Sequence, residues 1–246
     1  MNKAMLGVLL LVIAGFAYLI TNSTIDAQQW NYTAAGGPGG RGYERGNPPE
    51  SVPINLTAGD GLSEEEKEAI LYMREEEKLA RDVYLALYER WKLPIFNNIA
   101  RSEQRHMDMV KALIDRYGLE DPALDREAFT NQELQKLYDE LVSRGQTSIE
   151  EALKVGALIE EVDIKDIKDW LQVVDKADVK MVFNNLMLGS ENHLRAFTST
   201  LKSYGVDYQP QVLTLEEYRR IIESGGWRGG FGGHGRGPSH GKGPNH

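Results

Sequence analysis

Ile99-Ala-Arg-Ser-Glu103-Gln-Arg-His106-Met-Asp-Met-Val110 sets a carboxylate and an imidazole three positions apart inside an apolar stripe. Residues three apart on a helix share a face, so Glu103 and His106 point the same way. Ile99, Glu103, His106, Val110, Leu113 and Tyr117 follow the alternating four-three spacing of a bundle seam, which turns that face inward. A buried, unpaired charge costs several kcal/mol or shifts its pKa until it neutralises. A metal ion is one partner that removes the penalty. The stretch thus predicts a helical protein with a ligand pair on an inner seam.

The other long helical patterns carry the same kind of interruption. The first stripe is Ile70, Met73, Glu77, Ala80, Tyr84, Leu87 and Trp91, with Glu77 at its centre. A third stripe runs Ile149, Ala152, Gly156, Glu160, Asp163, Ile167, Trp170 and Val174, with Glu160 and Asp163 in the middle. A fourth runs Val179, Phe183, Leu186, Ser190, His193, Phe197 and Tyr204, with Ser190 and His193 in the middle. Glu75 and Glu76 fall off the first stripe and read as solvent-facing. Glu161 shares a face with Lys154, Lys165 and Lys168 and reads as solvated, while Glu191 falls on a flank. Of the five histidines, only His106 and His193 lie outside the C-terminal tail, and both land on inward breaks.

Taken singly, an inward Glu is often paired with an arginine, and an inward His is more often a satisfied core residue than a ligand. Four coordinated breaks at one depth are harder to balance, because no Lys or Arg sits on the central seams. The joint reading is a metal site. Carboxylates with imidazole suit iron or manganese, and zinc also fits.

Helix punctuation supports an all-α fold. Ser63-x-x-Glu66, Ser148-x-x-Glu151 and Thr214-x-x-Glu217 read as capping boxes. The expected helices are 63–91, stopping before Pro94, 96–117 with Gly118 as its stop, 148–174, and 177–204 ended by Gly205. A connector with a short helix near 132–143 joins the second and third, and a last helix covers 215–224. No stretch alternates like a half-buried strand. The simplest architecture is a four-helix bundle with a long crossover between its second and third helices.

The rest of the chain frames this domain of 62–224. Lys3 precedes an apolar run from Ala4 to Ile20, which reads as a signal peptide or an uncleaved membrane anchor within 1–27. Either reading leaves Lys3 inside and the domain outside the cytoplasmic membrane, secreted or tethered. Residues 28–61 form a Gly/Pro-rich spacer, and 225–246 form a Gly/His-rich tail. The net charge of -9 argues against a nucleic-acid partner. The absence of cysteine excludes disulfides, thiolate metal sites and a cysteine nucleophile.

These motifs resemble the ferritin-like superfamily, whose pattern is one Glu from each of two helices and Glu-x-x-His from each of the other two. Glu77-Lys-Leu-Ala-Arg-Asp-Val-Tyr84 is similar to the first-helix motif of rubrerythrin-like proteins, and Glu103-x-x-His106 matches the second. Glu160-x-x-Asp163 resembles the third-helix pair, and Ser190-Glu-Asn-His193-Leu-Arg-Ala-Phe197 resembles the fourth-helix motif. More closely, 62–210 resembles an uncharacterised family of DUF2202 type. The resemblance implies a metal set of Glu77, Glu103, His106, Glu160, Asp163 and His193, with two iron ions. Tyr84 is a candidate redox-active phenol, and its other reading is a core residue with a hydrogen-bonded hydroxyl. The resemblance departs at Ser190, where the pattern wants Glu. That departure keeps a one-ion site open, with Asp163 or a displaced Glu191 filling the gap. The implied activity is a di-iron oxidase or peroxidase acting on dioxygen or peroxide. Without a cysteine-bound iron module, a peroxidase cycle needs an external electron donor. A non-catalytic metal binder and a structural module with a degenerate site are the alternatives, and a homodimer stays open.

Overall fold

A computed structural model describes residues 61–224, and every regular element among them is a helix. The N-terminal signal or anchor, the spacer and the His-containing tail lie outside the described residues. None of the described helices is long and apolar enough to cross a membrane.

Helix α1 spans Glu64–Trp91 and begins with a complete capping box, Ser63 and Glu66 each accepting the other's backbone N–H. It ends at Lys92, which adopts the left-handed conformation. Helix α2, Pro94–Tyr117, starts immediately after, with Pro94 in the first turn where its missing N–H costs nothing. The two-residue link folds α1 and α2 into a hairpin. Gly118, at a φ of 64°, ends α2 as its position requires.

The crossover contains α3, Gln132–Gly145, which packs on α1 and α4. Helix α4 spans Ile149–Trp170 and α5 spans Ala177–Ser203, together a second hairpin. The short α6, Leu215–Ser224, lies on α5. Helix α4 stops four residues earlier than its apolar stripe suggested, so Val174 belongs to the connecting loop. Ser148 caps α4, but its box is incomplete: the Glu151 carboxylate goes to Arg144 at 2.7 Å.

Contacts of α1 with α4 and of α2 with α5 close the two hairpins face to face. The interior then divides in two. One apolar cluster gathers Tyr84, Phe96, Leu153 and Phe197, and the other gathers Met73, Val110, Trp170 and Phe183. Between them lies a polar belt formed by the middle turns of α1, α2, α4 and α5. The stripes run as expected along most of their length, although Tyr204 is half exposed.

Three of the sequence expectations fail on burial. Glu75 and Glu76 are buried because the crossover and α3 cover that side of α1. The Glu75 carboxylate accepts the backbone N–H groups of Thr130 and Asn131, anchoring the start of α3. Glu161 is fully buried beneath 208–213. It accepts from Tyr208 Oη at 2.6 Å and from the backbone N–H groups of Gln211, Val212 and Leu213. Buried cations exist too, but off the central seam. Lys78 pairs with Asp82 at 2.7 Å and donates to Ala128, and Arg74 reaches Asp121 and the Met107 carbonyl.

Candidate metal centre

The polar belt brings together every residue singled out on the four stripes. Glu77 comes from α1, Glu103 and His106 from α2, Glu160 and Asp163 from α4, and Ser190 and His193 from α5. All are buried. Helical periodicity explains the convergence: each residue occupies a seam position at mid-helix, and two face-to-face hairpins set those turns at one level.

Glu103 is the centre of the arrangement. Its Oε2 lies 2.7 Å from His106 Nδ1, and its Oε1 lies 2.8 Å from His193 Nδ1. Glu77 Oε2 approaches His106 Nδ1 at 3.1 Å, and Glu160 Oε2 approaches His193 Nδ1 at 3.4 Å. The imidazoles stack with centroids 5.5 Å apart. Two triads result, Glu77–Glu103–His106 and Glu103–Glu160–His193, each with ligand atoms within 4.8 Å of one another. The carboxylate of Glu103 is common to both.

Tyr84 and Asp163 frame the triads. The Tyr84 hydroxyl donates to Glu160 Oε1 at 2.5 Å, leaving Oε2 on the side of His193. Ser190 Oγ, one turn before His193 on the inward face of α5, hydrogen-bonds Asp163 Oδ2. Glu191 does not enter: helix α5 is unbroken there, and Glu191 lies 3.9 Å from Arg195.

His106 is held where it is by a glycine that the sequence reading passed over. A Cβ placed on Gly189 would lie 2.4 Å from His106 Nε2 and Cε1. The ring thus rests on the α5 backbone, and Nδ1 is the nitrogen turned toward Glu77 and Glu103. The sequence signal was a glycine inside a helix, where it costs about 1 kcal/mol relative to alanine and so calls for a packing reason.

Electrostatics show what the cluster lacks. Burial lowers the affinity of both imidazoles for a proton, but the carboxylates overcome it, raising His106 to about 11 and His193 to about 10. Burial opposes ionisation of Glu103 as well, yet the two histidines bring it down to about 2. Burial pushes Glu77 up to about 7 and also raises Glu160 and Asp163. Two imidazolium charges therefore serve four carboxyl groups, and no Lys or Arg joins the ion pairs of the triads.

The donor set fits a cation. Glu77 Oε1, Glu103 Oε1, Asp163 Oδ1 and His193 Nδ1 are buried without a hydrogen-bond partner. The 2.8 Å approach of Glu103 Oε1 to His193 Nδ1 does not align as a hydrogen bond. Buried carboxylate oxygens left without a partner in one belt are costly unless something positive sits among them. These buried acidic and imidazole groups could hold a metal ion.

The sequence and the all-helical domain both have counterparts among known proteins. The family model described as "Uncharacterized protein domain (DUF2202)" matches residues 66–225, and the chain belongs to that family. Uncharacterized protein MJ0754 of Methanocaldococcus jannaschii is 52% identical over 170 residues, spanning 68% of this chain and 92% of that protein. The crystal structure of hypothetical protein MJ0754 from Methanococcus jannaschii is similar with a TM-score of 0.66 at 50% identity, covering 68% of this chain and 97% of that one.

Proposed function

We propose that this chain is a ferritin-like metalloprotein with a dinuclear centre, best suited to iron and acting on dioxygen or peroxide. The observation that carries the reading is Glu103, whose two oxygens face different histidines. A carboxylate placed in that way would serve two ion positions at once. His106 and Glu77 would hold one ion, and His193 and Glu160 the other. Asp163 would take the inner place that a glutamate at 190 occupies in the ferritin-like pattern, which makes two ions the expected content.

Bound iron would supply the electrons for reducing the oxidant, with an external donor restoring them; manganese is the alternative occupant, and zinc would bind without redox chemistry. The protein's own contribution is orientation and exclusion. Tyr84 fixes the rotamer of Glu160, Gly189 fixes the ring of His106, and the two apolar clusters keep bulk water from the belt. Tyr84 would also be the candidate redox-active phenol, since its hydroxyl bonds Glu160 of the second triad. The N-terminal apolar segment would put this chemistry outside the cytoplasmic membrane.

Glu103→Ala tests the assignment. It removes a ligand from both triads and is expected to abolish ferrous uptake by the full chain, measured by elemental analysis after anaerobic loading and desalting. Undiminished iron content in that variant would show that the site lies elsewhere.

A further inference from the structure

A partly open crevice of about 20 Å³ lies between α1, α3 and α4. Its walls are hydrocarbon: Leu79 and Ala80 from α1, Leu137 and Leu141 from α3, Leu158 and Val162 from α4. Glu76 and Asp163 complete the lining. Asp163 is thus shared between the crevice and the polar belt, and the crevice adjoins the candidate centre. The wall contributed by α3 is notable because α3 carries none of the candidate ligands.

Size and lining select the guest. The space suffices for one water-sized molecule. A charged or strongly hydrogen-bonding guest would give up its hydration mostly to leucine side chains, a cost of several kcal/mol that only Glu76 and Asp163 could offset. Anions would also meet two carboxyl groups. An apolar diatomic gas loses no hydrogen bonds by entering and gains dispersion contacts with the walls. We infer that this crevice binds dioxygen and delivers it to the Asp163 side of the metal centre, making dioxygen rather than peroxide the oxidant. The inference rests on the metal-site reading above, and α3 thereby acquires a role as the outer wall of an entry port.

Xenon tests the crevice apart from any metal chemistry. Crystals of the metal-free protein pressurised with xenon are expected to show one atom among Leu79, Leu137 and Leu158. An ordered water bridging Glu76 Oε2 and Asp163 Oδ1, with xenon absent, would overturn the inference. Delivery is tested with Leu137→Trp and, should that variant misfold, with the milder Leu141→Phe. Both lie on α3, which supplies none of the candidate ligands. Each is expected to exclude xenon and slow oxygen consumption by the ferrous-loaded protein by about tenfold, while leaving iron content and the rate with added peroxide unchanged. An unaltered oxygen rate in a folded, xenon-free variant would refute the delivery route. If the unsubstituted protein takes up no iron or consumes no oxygen, the oxidase reading and the dioxygen assignment fall together, whereas the xenon result still judges the crevice as a gas-binding site.

Discussion

A methyl group added at Gly189 has nowhere to go except into the ring of His106. Gly189→Ala is therefore expected to displace that ring and weaken metal binding by about tenfold to a hundredfold, the usual effect of disturbing a group that orients a ligand. Isothermal titration with a divalent ion checks this. In a His106→Ala background the same substitution should add nothing, because the ring it displaces is gone. Glu161 tests the opposite case, a buried carboxylate with no part in the belt. Glu161→Ala would leave the N–H groups of Gln211, Val212 and Leu213 without their acceptor. It should cost about 2–4 kcal/mol in denaturant unfolding and leave metal content intact. The contrast between these residues also shows what a sequence can reveal. Glu103, His106, Glu160 and His193 were legible because helical period alone decides which way they face. Glu161 was misread because its partners are backbone N–H groups some fifty positions further along, and no periodicity encodes them.

Among the elements, buried glutamates act as fasteners between segments distant in sequence. Glu75 holds the start of α3, Glu161 holds the chain before α6, and Glu66 accepts from Asp175 and Lys176 at 2.8 Å in the α4–α5 link. Glu66 has a calculable consequence for pH. Burial works against its ionisation, but the backbone N–H groups of Ser63, Lys176 and Asp175 prevail and hold it below its ordinary value of 4.5. A folded-state value below the unfolded one means the carboxylate stabilises the protein above pH 4.5 and loses that contribution as the pH falls further. Glu66→Gln should therefore cost about 1 kcal/mol at neutral pH, with the gap from the parent narrowing through acid, as read from melting curves across pH. Helix starts and most ends were plain from Ser, Pro and Gly punctuation. The end of α4 was not, because Val174 continues the apolar stripe past the helix and is itself buried against the core from an otherwise exposed loop. The packing of the crossover over Glu75 and Glu76 also escaped the sequence, since a four-helix pattern predicts four seams and says nothing of a fifth helix covering an outer face.

At the scale of the molecule, the polar belt divides one interior into two apolar halves. Such a layer is a liability without a cation, since four carboxyl groups share two imidazolium charges. Metal loading should consequently stabilise the whole fold. Ion at a hundred times its dissociation constant adds about 2.7 kcal/mol if the unfolded chain does not bind it, seen as a rise in melting temperature that a chelator reverses. An unchanged melting temperature after demonstrated loading would mean that the unfolded chain binds the ion as well as the folded one does, which a site assembled from four helices would not allow. The decisive observation is anomalous diffraction at the iron edge from crystals loaded anaerobically with ferrous ion. Two peaks are expected, one on each side of the Glu103 carboxylate, the first beside Glu77 and His106 and the second beside Glu160 and His193. A fully loaded crystal with no peak in the belt would contradict the metal-site account outright.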